Sequence, residues 1–348
     1  MPRDGAAGNQ PGALTVCPTV AAGYGPTVPV TTMLFDALRT RLTAALDGSG
    51  CDLDDLADAP ALDWRDRLLT LSAIHDLHTA PLDALAGRER FQHHPAVAAL
   101  KGRLEEEFLA EVERRDGATA WKLPRPAARA MRALAARDLV PEVYEWLAAK
   151  ADREEIVAFL SLEGGPDGGF DDLVAACQIG LDGEPKLELA RNYWDEMGNG
   201  SLARVHTELH RKLQRALGLV CPPRETQPVA ALERTVLTGV LATNRRFQPE
   251  MLGALGLLEL QAGPRCRKVV AALERIGAGD DALDFYVEHA TVDPRHGKDW
   301  VDNAVVPLQG DARWAAGIVR GARWRSIVNG GFFAAMAETF VEEERQAS

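Results

Sequence analysis

Three features of the 348-residue sequence predict an all-α fold. Apolar residues recur at three- and four-residue spacing through most of the chain. Alternating β-branched runs joined by Asn-Gly turns are nearly absent. Breaks containing Gly or Pro, such as "GSG", "APLDAL" and "KLPRP", separate segments of helical length.

Residues 1–29 are rich in Gly, Pro and small side chains without helical periodicity, and read as a loosely docked tail. From Thr31 the character changes. "TTMLFDALRTRLTAALDG" spaces Leu34, Leu38, Leu42 and Leu46 four apart, with Thr31 or Thr32 available as N-cap and Gly48 just past the end. Helices are expected next at about 63–80, 91–115, 124–138 and 140–151. They are followed by "REEIVAFLSLEGG", "FDDLVAACQIGL" and the long "PKLELARNYWDEMGNGSLARVHTELHRKLQRALG". Three apolar segments near 229–243, 247–261 and 264–277 precede a helix over about 280–306. Two C-terminal helices are expected at 311–322 and 324–344. No repeat of fixed period is visible. The favoured division is an N-terminal helical region over 30–148 and a helical domain over 149–348.

Composition narrows the function. Net charge is -12 and the Lys and Arg residues are dispersed, which disfavours nucleic acid or an anionic membrane as partner. Cys17, Cys51, Cys177, Cys221 and Cys266 are scattered without a C-x-x-C pair, as expected of free thiols in a reducing cytoplasm. No stretch approaches the roughly 18 apolar residues of a membrane span, and no basic region followed by an apolar run opens the chain. A cytoplasmic protein is expected.

The stretch "DFYVEHATVDPRHGKDW", 284–300, carries His289, Asp293 and His296. At about 100° per residue these fall within roughly 60° of one another on a helix. Burying such a stripe is costly unless a partner, usually a metal ion, pairs with it. The plainer reading is a solvent-facing stripe in which Asp293 pairs with a histidine. Glu196 precedes His206 by ten residues, roughly 80° short of whole turns, and the intervening "GNG" can bend the chain to bring both inward. Glu163 ends the apolar run "AFLSLEGGPDGG", with Glu154 and Glu155 as alternatives; His210 is the alternative to His206. His75, His78, His93 and His94 lack carboxylates in a matching pattern and read as surface residues. Three carboxylates, Glu163, Glu196 and Asp293, with three imidazoles nearly balance two ferrous ions and leave positions open. Such a mixed set in a helical bundle suits iron or manganese.

The order Glu163, then Glu196 with His206, then His289, Asp293 and His296 resembles the haem-oxygenase-like diiron oxidase family, often described as iron-containing redox enzymes. "FLSLEGG", "NYWDEMGNG" and "EHATVDPRHG" are similar to that family's local sequences, over about residues 150–345. The resemblance implies a haem-oxygenase-like helical bundle with an N-terminal helical extension that supports a homodimer. It also implies the six residues as ligands of two Fe(II) ions. O2 would be co-substrate, reacting through a peroxo-bridged diferric species to oxidise a free amino acid or a similar small molecule in specialised metabolism. Desaturation, cyclisation and N-oxygenation are all within the family's range, and an external electron donor would serve some of them. A helical iron storage or sensing protein is the rival reading. A substrate carboxylate would call for an arginine; Arg191, Arg204 and Tyr193 lie near ligands in sequence. Arg295 is expected to point off the ligand stripe, while Trp194 and Phe285 are candidate pocket walls.

Overall fold

Leucines four apart bury one face of α1 (Leu38–Leu46), where Leu38, Leu42 and Leu46 pack on α2 (Trp64–Thr79). The computed structural model describes residues 37–49, 52–164 and 169–347, with side chains as far as 340. The tail 1–29, Leu34, the Thr31 or Thr32 cap, Cys17 and Cys51 lie outside the described residues. Within the described residues, the first amides of α1 are satisfied from α2. Asp66 accepts from the backbone N–H of Leu38 at 2.9 Å and of Arg39 at 3.0 Å.

The remaining helices follow in order. The N-terminal region continues with α3 (Leu82–Leu85), α4 (Pro95–Ala118), α5 (Ala127–Arg137) and α6 (Glu142–Ala149). Next come α7 (Arg153–Glu163), α8 (Phe170–Cys177), α9 (Gly183–Glu196), α10 (His206–Leu217) and α11 (Val229–Thr243). After these stand α12 (Gln248–Arg275) and α13 (Asp280–Asp299), then a π-helical turn (Trp300–Val305), α14 (Val306–Leu308) and α15 (Ala312–Ala347). Among the described residues there is no strand. The fold is all-α.

Two expected breaks are absent. Segments 247–261 and 264–277 form one helix, α12, with Pro264 inside it. Pro264 removes one helical hydrogen bond, but α12 is buried along both halves against α13 and α15, and that burial outweighs the loss. The C-terminal segments likewise join as α15. Its glycines, which read as interruptions, serve contact. A Cβ on Gly321 would lie 1.9 Å from the Glu250 carbonyl oxygen, and one on Gly253 would lie 1.9 Å from that of Ile318. Helices α12 and α15 therefore cross backbone to backbone.

Apolar packing ties the N-terminal region to the rest. One core joins Leu68, Leu100 and Phe108 to Val236, Leu252 and Trp324; a second gathers α6, α7, α10 and the far halves of α12 and α15. His75, expected at the surface, is 3% exposed. Its Nε2 pairs with Glu105 Oε1 at 2.8 Å, and the same oxygen accepts from Lys101 and Asn244. Burial needed a partner, and Glu105, 30 residues away on another helix, supplies it. His93 is exposed, as expected.

Candidate metal centre

Helix α9 presents Glu188, Asn192 and Glu196 at four-residue spacing on its buried face, and Glu196 is its last residue. The chain then reverses through two 3-10 turns, 198–200 and 202–204, before α10 begins at His206. Gly198 at φ +59° and Gly200 at φ +83° make the reversal. A Cβ on Gly198 would stand 2.4 Å from the Arg204 backbone carbon. The "GNG" segment thus does what its spacing required: it brings Glu196 and His206 together, with His206 Nδ1 2.7 Å from Glu196 Oε2. The two groups are in direct contact, buried at the end of α9 and the start of α10.

On α13, His289, Asp293 and His296 face inward together. His289 Nδ1 donates to the Phe285 carbonyl at 2.7 Å, which leaves Nε2 for a ligand. His296 Nε2 lies 2.9 Å from Asp195 Oδ2, so its Nδ1 is the nitrogen turned inward; it is 3.8 Å from Glu259 Oε2 and 3.9 Å from Asp293 Oδ1. Asp195 also accepts from Arg295, which lies off the ligand stripe as expected.

Two three-residue groups result. Glu196, His206 and His289 offer ligand atoms within 4.8 Å of one another, and so do Glu196, Glu259 and His296. Glu196 belongs to both. Asp293 is buried at the same place with its Oδ2 unpartnered among the described residues. Glu163 lines the same cavity but stands outside both groups; Tyr144 donates to its Oε1 at 3.0 Å and Tyr286 to its Oε2 at 3.4 Å. His210 lines the cavity against Phe285 without joining a group.

The charges fit a cation. Burial, together with the neighbouring Glu196, drives the Glu259 and Asp293 carboxyls above their ordinary range, each also raised by the charges of the other acids around it. Burial pushes His289 down to about 4, with His206 adding to the shift. Burial opposes the charged forms of Glu196 and His206 too, yet their contact leaves Glu196 below and His206 above the usual value. Four clustered acids with inward imidazoles, in which the His206 and His296 Nδ1 atoms and one Asp293 oxygen have no hydrogen-bond partner among the described residues, form a donor set that divalent iron would satisfy.

Sequence spacing missed Glu259, whose only signal is an acid inside the apolar run "LGLLELQAG". It is 4% exposed, and Asn192 donates to its Oε1 at 2.6 Å. The residues suggested for substrate lie elsewhere. Arg191 is exposed and pairs with Glu188, Arg204 is exposed and pairs with Glu288, and neither they nor Tyr193 line the cavity. Trp194 is exposed, whereas Phe285 is a wall of the cavity.

Fold and site define a helical bundle with a carboxylate and imidazole metal centre. The sequence model of a family described as iron-containing redox enzymes matches residues 157–329, and through this region the chain belongs to that family. The protein is an iron-dependent oxidoreductase. No curated protein matches the chain. No helix among the described residues is long and apolar enough to cross a membrane.

Proposed function

We propose that the protein is an O2-dependent non-haem diiron oxidase or oxygenase acting on a free amino acid or an amino-acid-like molecule. The observation that carries this reading is the pair of three-residue ligand groups that both include Glu196, a donor set that would suit two ions. His206 and His289 would hold one ion with Glu196, and Glu259 and His296 the other. Asp293 and Glu163 are the remaining cavity acids available to them. Bound ferrous ions would supply the electrons and open positions that O2 reduction needs.

The chain's own residues do the rest. Asp195 and the Phe285 carbonyl fix which nitrogen of His296 and of His289 faces inward. Tyr144 and Tyr286 hold Glu163 in one orientation. Phe285, Leu258, Val269 and Phe333 give the cavity apolar walls that limit water. The cavity is about 190 Å³, small beside the roughly 300–1,000 Å³ typical of drug-sized ligands, which favours a small substrate.

The test is anaerobic ferrous loading followed by O2 in a stopped-flow spectrometer, with and without a panel of free amino acids. Two ions per chain and an O2 reaction that one amino acid accelerates, with an oxidised organic product, are the expected results. Stoichiometric iron oxidation without organic product would move the protein to the storage reading. His289→Ala and Asp293→Ala should lose O2-dependent turnover while keeping the helical circular dichroism signal.

A further inference from the structure

Arg265 and Asn329 are buried polar side chains that line the metal cavity and take no part in its ligand set. Arg265 of α12 is 5% exposed. Its Nε donates to the Leu139 carbonyl at 3.1 Å and its Nη2 to the Asp138 carbonyl at 2.6 Å, both just beyond the end of α5. Its guanidinium lies 4.9 Å from the Phe333 ring centre. These contacts anchor the group, and the nearby Asp138 and Glu163 carboxylates offset part of the cost of burying its charge without forming an ion pair with it. No carboxylate among the described residues is within ion-pairing distance of Arg265, and its Nη1 has no hydrogen-bond partner there. Glu163, the acid of that part of the cavity, already accepts from two phenols. The second side chain is Asn329 of α15, which is 3% exposed and has its Oδ1 unpartnered.

A charged group in an apolar cavity is costly unless something of opposite sign meets it, and a buried amide oxygen without a partner carries a penalty of the same kind. Arg234, 1% exposed, lines the same cavity and brings a second guanidinium to it. The guanidinium edge matches a carboxylate, and Asn329 can donate to that carboxylate or accept from an adjacent ammonium. We propose that Arg265 and Asn329 form a carboxylate-binding subsite of the metal cavity that selects small organic acids as substrates. This rests on reading the cavity as the substrate chamber of an iron enzyme. It assigns Arg265 to the role for which the sequence suggested Arg191 or Arg204.

The full chain, metal-free and anaerobically loaded with ferrous iron, is titrated calorimetrically with the twenty common L-amino acids and with decanoate. Each amino acid that binds is repeated as its decarboxylated amine. The expected result is binding of a carboxylate probe, weakened on the order of 30-fold or more when the carboxylate is removed or Arg265 becomes Met. Arg265→Lys should lose less, and Asn329→Asp, nearly isosteric, should lose as much by placing a negative charge beside the ligand. Arg265→Met gives up its hydrogen bonds to the Asp138 and Leu139 carbonyls and should melt lower, so its affinity is compared at a temperature where its circular dichroism signal and its ferrous loading equal those of wild type. Amino acids binding in preference to decanoate would identify the source of the carboxylate, and the reverse preference would identify a fatty acid; either supports the subsite. Absence of any carboxylate binding, or affinity in Arg265→Met and Asn329→Asp within twofold of wild type, overturns it. If iron fails to load while carboxylate binding still depends on Arg265, the diiron reading falls and the subsite stands.

Discussion

Glu259 lies between buried Leu255 and Leu257 on one side and Gln261 on the other, where an isolated charge would not survive burial. Replacing it by Gln keeps the shape and removes the charge, so bound ferrous iron should fall from two equivalents to one, read by anaerobic titration. Two equivalents retained would show that Glu259 is not a ligand. Away from the centre, His75 makes a separate prediction. Burial holds its pKa below 6.5, with Glu105 partly opposing. An imidazole depressed on folding costs nothing above its unfolded value. As pH falls below about 6.5 the unfolded chain takes up the proton first, so stability falls until the folded pKa is reached. Each such histidine contributes a slope of about 1.4 kcal/mol per pH unit. His78, His210 and His289 are depressed likewise, each chiefly by burial. Denaturant titrations from pH 7.5 to 5.5 should show the decline, and His75→Gln should lower its slope by one proton. Spacing made His289, Asp293 and His296 legible because a helix converts period into direction. Glu259, Arg265 and Asn329 were not legible in this way. Each is a lone polar residue on its helix, and only tertiary packing shows what it faces.

Among the elements, the α9 to α10 reversal and the α12 to α15 crossing depend on missing side chains. Gly198→Ala would put a Cβ into the Arg204 backbone at a positive φ, costing about 1–3 kcal/mol and shifting His206 from Glu196. Ferrous affinity should drop together with the melting temperature. At Gly253 the space is occupied by the Ile318 carbonyl, so Gly253→Ala should force the helices apart at a cost of about 3 kcal/mol, seen as a lower midpoint in urea. Element type and order were readable from periodicity, as α2, α5 and α11 show. The joins within α12 and α15 were not, because Pro and Gly end a helix in isolation but are tolerated where long-range packing holds both sides.

For the whole molecule, the shared core predicts that the N-terminal region folds together with the rest. Trp64 Nε1 donates to Glu233 at 2.8 Å, Arg115 pairs with the same carboxylate at 2.9 Å, and α2 covers α11. A fragment beginning at residue 149 would expose Val236 and Val240, and is expected to appear in the insoluble fraction or bind a hydrophobic dye. A soluble fragment with a cooperative melt would show that the regions fold separately.

Tyr144 belongs to α6, outside the 157–329 stretch that carries the family's pattern, yet its hydroxyl orients Glu163. The Asp138 and Leu139 carbonyls that anchor Arg265 also precede that stretch. The inheritable unit is therefore larger than the recognisable one. A chimera that joined the family segment to a foreign N-terminal partner would keep every metal-ligand candidate and lose the supports of a carboxylate and a guanidinium.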